Sequence, residues 1–417
     1  MLLSSAAYSA GFNFSLDWLL RNVTTVIAGD ALFSTLRRVD EPTFQKGLDR
    51  TEHAVDYLLN LISSRLGLDH DAVLGGRYAL PVMTRYVDTR GSRLLDHREQ
   101  GKLLYWYVHS FLWGRFTSSV ESTLNQDLHL IDSSPESIDR LIEQLRRSRG
   151  ELLVRPEDFD AWSLGARFYP MLYLMTRTCR SKDWGTGNEL SAHLLGRGSV
   201  LNVHHVFPES VLYEAGYSRP EVNAIANFCF QTQETNLALS DRAPEIYFYE
   251  VKQKQPGALE SQWIPMDEDL WKLSNYRQFL ATRRELLADA ANRLLGSLFA
   301  GEIGLSDLTS LPQAPATTEQ MLADPELIDL RNWLEERGMP MPEFHCEVVD
   351  PKSDDFVASV DAAWTSGVQS ELSEPVALIL DDMQKVAAPL SQLGYRLFTS
   401  IEELQFYLAD TLNGDHR

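Results

Sequence analysis

The sequence predicts a mainly α-helical protein with a short strand-containing segment near residue 200 and a small carboxy-terminal α/β domain. Apolar residues recur at helical spacing through much of residues 1–184 and again over residues 268–300. A short apolar run ends in two adjacent histidines, and four short strand-like runs follow residue 340. Helical spacing gathers apolar side chains on one face, whereas short runs rich in branched and aromatic residues favour strands.

The chain is predicted to divide into four segments. Residues 1–184 form a helical domain, and residues 185–305 form a second domain that contains the two histidines and its trailing helices. Residues 306–322 form a linker, because the run TSLPQAPATTEQ opposes regular structure. Residues 323–417 form an acidic α/β domain of uncertain role, with strands at EFHCEVVD, FVASVDAAW, PVALILDD and GYRLFTS and a closing helix at IEELQFYLADTL.

Three runs define the helical domain most clearly. FQKGLDRTEHAVDYLLNLISSRLG has helical spacing and a stop at Gly67, and the aromatic run KLLYWYVHSFLWGRF predicts a buried helix ending at Gly114. SSPESIDRLIEQLRRSRG opens with a helix-start signal and ends before Gly150. The arginines of its last turn favour the helix dipole, which explains them better than contact with phosphate.

Composition indicates a globular protein outside the membrane. Of the 417 residues, 44% are hydrophobic and 23% are charged, as in globular domains. No run approaches the ~18–20 apolar residues of a membrane span, and the first residues lack the basic segment of a signal peptide. Three cysteines (179, 229 and 346) without a CxxC pair exclude a disulfide framework and a cysteine zinc site. We therefore expect the protein in the cytoplasm.

The net charge of −21 is unevenly distributed. Residues 301–417 hold 6 basic and 22 acidic residues, a net charge of −16, which leaves −5 for the rest of the chain. Residues 137–200, just before the two histidines, hold 10 basic and 8 acidic residues. DNA phosphates are bound largely through Lys and Arg, so this segment permits a local DNA-facing surface in an otherwise acidic protein.

The stretch LNVHHVFPES at residues 201–210 contains the candidate site. Adjacent residues of a strand point to opposite faces, so His204 and His205 cannot both enter one core. Either one binds a metal while the other meets a substrate, or both are surface residues. Asn227 follows His205 by 22 residues and Asn236 follows it by 31. Two histidines, a central Asn and a later Asn at this spacing form the pattern of the ββα-metal (HNH) nuclease motif.

The motifs HHVFPES and NFCFQTQETNLALSDRAPEIY resemble the nuclease domain of GmrSD-type, modification-dependent restriction endonucleases. Members of that family typically read Asp/His-His-Ile-Phe-Pro, then Gly-Asn-Leu, then an Asn before Pro-x-x-Tyr. The upstream run YWYVHSFLWGRFTSSVESTLNQDL, with Asp127 near its end, is similar to the helical middle region of the family. The resemblance covers roughly residues 10–300, and it predicts an HNH unit embedded in the helical fold.

The resemblance implies a role for each residue of the pattern. His204 and Asn236 would hold a divalent cation, Mg²⁺ or Mn²⁺, and His205 would be the general base that activates water. Asn227 would bond the loop backbone and orient His205. His204 stands where many relatives carry Asp, and the residue before Asn227 is Ala226 rather than the usual Gly.

The sequence offers other residues that could be metal ligands. Glu234 and Asp241 are carboxylates near the pattern, but solvated loop positions describe them better than metal ligands. The remaining histidines have no partners at ligand spacing and are interpreted as structural. They are residues 53, 70, 97, 109, 129, 193, 345 and 416.

These roles predict a metal-dependent HNH endonuclease that cleaves DNA in the restriction of foreign, possibly modified, DNA, a form of phage defence. The alternative is a non-catalytic DNA- or protein-binding subunit of a defence complex that retains the HNH fold. Full-length relatives begin with a ParB-like NTPase domain, and neither its motif nor a Walker A sequence occurs here. We therefore expect either a separate NTPase subunit as partner or a truncated reading frame.

The carboxy-terminal segment resembles degenerate PD-(D/E)XK nuclease-like modules. Asp361 is present, but the following run ALILDDMQK offers no Glu-x-Lys. This favours an acidic module that binds a protein partner or inhibits by mimicking DNA, because its charge of −16 would repel DNA itself.

Overall fold

The structure of the protein is a computed structural model, and the described residues form two compact units. The described residues are 12, 14–70, 73–117, 120–133, 136–162, 166–191, 201–302, 325–337, 339–349, 356–365, 367–368, 373–380 and 383–413. The first unit takes the described residues up to Glu302, apart from Thr117, and the second takes those from Pro325 onward. The predicted linker at 306–322 lies outside the described residues.

The first unit is a helical assembly with one small sheet. Its helices before the sheet are α1 (Leu16–Ala28), α2 (Glu41–Leu66), α3 (Ala79–Asp88), α4 (His97–Leu112), α5 (Val120–Ser133), α6 (Ser137–Arg149) and α7 (Tyr169–Thr178). The predicted helices at α2, α4 and α6 are confirmed. Helix α2 ends at Gly67, which takes the left-handed conformation (φ +67°) that favours glycine, and α6 is followed by Gly150.

The aromatic helix α4 forms part of the core of this unit, as predicted. Trp106 and Tyr107 are fully buried, and the hydroxyl of Tyr107 donates to the carbonyl of Gly75 at 2.7 Å. After α4, the buried carboxylate of Asp127 accepts two hydrogen bonds from the guanidinium of Arg115, at 2.6 and 2.5 Å. This paired arrangement offsets the cost of burying both charges and fixes the turn between α4 and α5.

The two histidines lie on the small sheet. Strand β1 (Asn202–His205) pairs antiparallel with β2 (Phe228–Gln231), so that His204 faces Cys229 and His205 faces Phe228 in register. Short helices α8 (Glu209–Glu214) and α9 (Arg219–Val222) and the 3₁₀ turn Ile225–Asn227 lie between the strands. Helices α10 (Gln233–Leu239), α11 (Pro244–Lys254) and α12 (Ala258–Ser261) follow β2. The unit thus contains two paired strands with short helices between them, and a helix that follows the second strand.

One helix boundary differs from the prediction. Helix was expected throughout residues 268–300, but two 3₁₀ turns (Glu268–Trp271 and Leu273–Asn275) precede helix α13 (Tyr276–Ala300). Lys272 between them is extended, and the buried indole of Trp271 donates to the carbonyl of Pro265 at 2.8 Å. This tertiary contact takes precedence over the helical periodicity of the sequence.

Helix α13 connects the residues around the sheet with the helical bundle. It packs against α4 and α7 and against the 3₁₀ turn Ile225–Asn227 that precedes β2. The predicted helical domain (1–184) and the predicted second domain (185–305) therefore belong to one compact unit.

The second unit is a four-stranded sheet with helices. Its elements are α14 (Pro325–Glu336), β3 (Glu343–Val349), β4 (Phe356–Trp364), β5 (Val376–Leu378), α15 (Met383–Gln392), β6 (Arg396–Phe398) and α16 (Ile401–Asn413). The strand order is β3-β4-β5-β6, with the last pair parallel and the others antiparallel. The predicted strands and the closing helix are confirmed.

Asp361 lies on strand β4 of this second unit. Its carboxylate accepts from the backbone N–H of Leu380 at 2.7 Å, at the end of β5, and the residues of β5 itself are buried and apolar. Asp361 therefore supports the sheet. The role of the unit as an acidic interaction module stays a prediction.

The predicted mainly α-helical class, with small sheets, is confirmed by these elements. Among the described residues, no helix combines the length and the apolar character that crossing a membrane requires.

Candidate functional site

The structure brings together His204 and Asn236, which are 32 residues apart. The Nδ1 atom of His204 lies 2.8 Å from the amide oxygen of Asn236. This proximity follows from the local fold: β1 pairs with β2, the chain then turns at Thr232, and helix α10 begins with the side chain of Thr232 as its N-cap. Asn236 lies one turn into α10 and is partly exposed, whereas His204 is 5% exposed.

Burial keeps the imidazole of His204 neutral. It lowers the pKa of His204 to about 4, against the opposing effect of the hydrogen bond with Asn236, and His205 lowers it further. At pH 7 the ring therefore carries one proton and one lone pair. Because the Asn236 oxygen can only accept, the proton lies on Nδ1, and a cation could bind Nδ1 only after that proton had moved to Nε2. The Nε2 atom of His204 is buried and has no hydrogen-bond partner among the described residues.

His205 points to the other face of the sheet, as strand alternation requires. Its Nε2 lies 3.0 Å from the amide oxygen of Asn223, and its ring meets the ring of Phe228 edge-on at 4.9 Å. Because an amide oxygen can only accept, this contact fixes the proton on Nε2 and leaves the lone pair of His205 on Nδ1. The ring is half-buried. Sequence reasoning missed Asn223, which has no motif of its own and simply follows the short helix α9.

Asn227 is buried beneath the loop that follows the histidines. Its amide oxygen accepts from the backbone N–H of Phe207 at 2.9 Å, and its amide nitrogen donates to the carbonyls of Phe207 (3.1 Å) and Val222 (2.9 Å). The hydroxyl of Tyr247, from the APEIY motif, donates to the carbonyl of Val206 at 2.8 Å. Together these side chains hold the two residues after His205, which limits the positions that His205 can take.

Asp183 is a buried carboxylate that sequence reasoning missed. It accepts six hydrogen bonds of 2.6–3.0 Å, all from uncharged donors. The donors are the backbone N–H groups of Gly185, Thr186 and Thr232 and the hydroxyls of Thr186, Thr232 and Thr235. Burial acts to raise the pKa of Asp183, but the hydrogen bonds from the threonines outweigh it and lower the pKa below its usual value.

The position of Asp183 matters for the site because it joins two segments. Its bonds tie the turn at residues 183–186 to the first turn of α10, directly before Asn236. Trp184, the next residue, packs edge-on against the ring of His204 at 5.9 Å. The sequence DWGTG signals a turn with an Asp at its start, but it does not reveal the partner strand and helix some 50 residues later.

Two side-chain atoms of the site are spaced as two ligands of one cation would be. A hexacoordinate Mg²⁺ with ligands at about 2.0–2.1 Å keeps neighbouring ligands about 2.9 Å apart, and Nδ1 of His204 and the Asn236 oxygen are separated by 2.8 Å. Glu234 and Asp241 are exposed. Nowhere in the described ranges do three His, Cys, Asp or Glu side chains converge as a metal site. The fit therefore rests on one imidazole and one amide, with the other positions open to water and substrate.

The same geometry argues for weak binding of a cation. A metal-bound histidine ordinarily donates its other ring N–H to an acceptor, which strengthens the ligand. With a cation on Nδ1, the proton of His204 would move to the buried Nε2, where the described residues provide no acceptor. A cation at this position would therefore be held weakly by the two side chains alone.

Comparison with known proteins identifies one distant relative. No family model matches the chain. The chain is similar to "Uncharacterized protein MJ0686" of Methanocaldococcus jannaschii, with 22% identity over 185 residues. The match covers 42% of this chain and 30% of the archaeal protein, so the chain spans less than a third of that relative's length.

Proposed function

We propose that this protein is a metal-dependent HNH endonuclease that cleaves DNA phosphodiester bonds. The observation that carries the proposal is the 2.8 Å approach of His204 to Asn236 across a strand, strand and helix unit, beside a second histidine held by its own amide partner. A binding module would need neither the neutral buried imidazole nor the oriented ring next to it. The predicted motif supplies the reaction class, and the local geometry is compatible with it.

Each residue of the site then has a chemical task. His204 and Asn236 would hold the divalent cation, Mg²⁺ or Mn²⁺, which would neutralise charge on the phosphate and on the leaving oxygen. The Nδ1 lone pair of His205 accepts the proton of the attacking water. Asn223 keeps that lone pair on Nδ1, and Asn227 holds the loop behind the ring.

The biological setting follows from the resemblance to the GmrSD-type enzymes. We propose that the substrate is foreign DNA, including DNA with modified bases, and that a separate NTPase subunit stimulates a basal cleavage activity that this chain has on its own. The cytoplasm is where a restriction enzyme meets such DNA. The partner and the location are both part of this proposal.

Nicking of plasmid DNA tests the proposed function. We expect purified protein to cleave with Mg²⁺ or Mn²⁺ and to be inactive in EDTA, and we expect Asn236→Ala to lower the rate about 10–100-fold because the cation loses a ligand. Unmodified and hydroxymethylcytosine-containing plasmids are compared to show whether modification is recognised. The matched control is Gln233→Ala, at an exposed position of the same helix, which should cleave like wild type.

Two results would contradict this assignment. Equal cleavage by wild type and Asn236→Ala would point to a contaminant or to another active site. If the folded wild type neither cleaves DNA nor binds Mn²⁺ in the presence of DNA, the retained fold serves binding alone, as in the alternative of a non-catalytic subunit.

A second prediction concerns the orientation of His205. Asn223→Leu keeps the approximate size of the side chain but removes the oxygen that lies 3.0 Å from Nε2. We expect the kcat for cleavage to fall about tenfold with little change in KM, because the base is misplaced while the DNA-binding surface is intact. The ring resonances of His205 should also move in the NMR spectrum. Unchanged kcat and unchanged resonances would show that Asn223 does not orient the ring.

A further inference from the structure

A buried arginine on helix α13 lies behind the candidate site, and the described residues offer it no acidic partner. Arg283 is fully buried. Its guanidinium donates to the carbonyl of Ala226 at 2.7 Å and to the carbonyl of Gln262 at 3.2 Å, while its Nε has no partner among the described residues. The ionisable groups that interact with it are Cys229, Tyr247 and Tyr276, none of which is a carboxylate.

Such an arrangement is costly for the fold. An unpaired buried charge loses its hydration, and burial accordingly lowers the pKa of Arg283 to about 10, so that it remains a cation at neutral pH. Buried arginines usually have an acidic partner, as Arg177 has in Asp69 (2.7 Å) elsewhere in this unit. Among the described residues, two backbone carbonyls are the hydrogen-bond partners of this charge, which calls for a specific explanation.

The two carbonyls that Arg283 binds both lie next to strand β2. Ala226 directly precedes Asn227, which holds the backbone after His205. The side chain of Gln262 binds the backbone of Phe230 in β2. Its amide oxygen accepts from the N–H of Phe230 at 3.3 Å, and its amide nitrogen donates to the carbonyl of Phe230 at 2.9 Å. Arg283 thus ties the start of β2 to the residue that supports its centre.

We propose that Arg283 is a positioning residue of the candidate site, acting through Ala226 and Asn227 on the loop that follows His205. The guanidinium reaches both carbonyls from one rigid, planar group, which a lysine cannot reproduce. It fixes the backbone on which the Asn227 amide depends. The catalytic consequence rests on the proposed nuclease function, but the positioning itself does not.

The test compares substitutions at two neighbouring arginines. Arg283→Lys keeps the positive charge but loses the planar group that donates to two carbonyls at once, and Arg283→Met removes the charge. The matched control is Arg284→Met. Arg284 lies on the same helix as Arg283, and its replacement breaks an ion pair with Asp160 (2.6 Å). Amide hydrogen exchange at Phe207, whose N–H is bonded to Asn227, is measured relative to the amide of Trp106 in helix α4. Steady-state cleavage kinetics are measured on the same proteins.

We expect exchange at Phe207 to accelerate at least tenfold in both Arg283 variants while exchange at Trp106 stays constant, and neither to change in Arg284→Met. If the wild type cleaves DNA, kcat should fall at least tenfold in the Arg283 variants with KM nearly unchanged. Exchange at Phe207 that accelerates only in parallel with Trp106, or does not accelerate, overturns the proposal. If exchange at Phe207 accelerates in the Arg283 variants but the wild-type protein does not cleave DNA, the positioning role is upheld and the nuclease function is refuted. If Arg283→Met does not fold, Arg283→Lys alone decides.

Discussion

Replacing His205 with alanine is expected to lower the rate of DNA cleavage by about 10²–10⁴-fold, the range that a positioned general base contributes. The ring is half-buried, and its contacts are one hydrogen bond to Asn223 and the edge of Phe228. Its removal should therefore change the free energy of unfolding little. Binding of the cation and of DNA should persist, because His204 and Asn236 are unchanged. Nicking kinetics, thermal unfolding and DNA affinity are measured together.

The control for this substitution is His53→Ala, at an exposed histidine of helix α2 whose hydrogen bond in the described part of the chain is to the carbonyl of Asp49 in the same helix. It should cleave at the wild-type rate. Imidazole added to His205→Ala should restore part of the activity, since a free base can occupy the space left by the ring. Cleavage by His205→Ala at the wild-type rate would show that another group activates the water, and the assignment of the site would then be wrong.

A motif in the sequence predicts which residues lie near one another, and the structure gives the geometry of those residues. His204, His205, Asn227 and Asn236 were expected to form one site, and the structure places His204 against Asn236 and sets Asn227 beneath the loop after His205. Strand alternation also predicted that the two rings diverge. These inferences depend on the alternation of side chains along a strand and on the spacing of a known motif, and both can be read from a single sequence. The chemical roles stay predictions.

The supporting residues could not be predicted in the same way. Asn223, Asp183 and Arg283 act on partners 18, 49 and 57 residues away. None of the three belongs to a periodic pattern or to a motif with a known spacing to the histidines. They come close to the site only when the chain folds. The 3₁₀ turns before α13 show the same limit, since the buried contact of Trp271 overrides a strongly helical pattern.

Asp183→Asn is expected to lower the free energy of unfolding by about 2–4 kcal/mol, since charge-assisted hydrogen bonds are lost and a buried group is left mismatched. Both carboxylate oxygens of Asp183 accept hydrogen bonds, and one of them accepts from the N–H and the hydroxyl of Thr232. In asparagine one of the two oxygens is replaced by an NH₂ group, which donates and cannot accept these bonds. The matched control is Asp267→Asn, at an exposed carboxylate that caps a 3₁₀ turn and should cost well under about 1 kcal/mol. Urea denaturation at pH 7 measures both.

The pH dependence of this difference tests its electrostatic cause. Because the folded-state pKa of Asp183 is lowered, its stabilisation is fully present above the unfolded pKa of about 3.9 and is lost as the pH falls through the lower folded value. The gap between wild type and Asp183→Asn should therefore be constant from pH 7 to about pH 5 and shrink below about pH 4. A gap that persists at acid pH would mean that shape rather than charge holds the turn against α10. Asn236 would then owe its position to packing, and the carboxylate would not be needed to build the site.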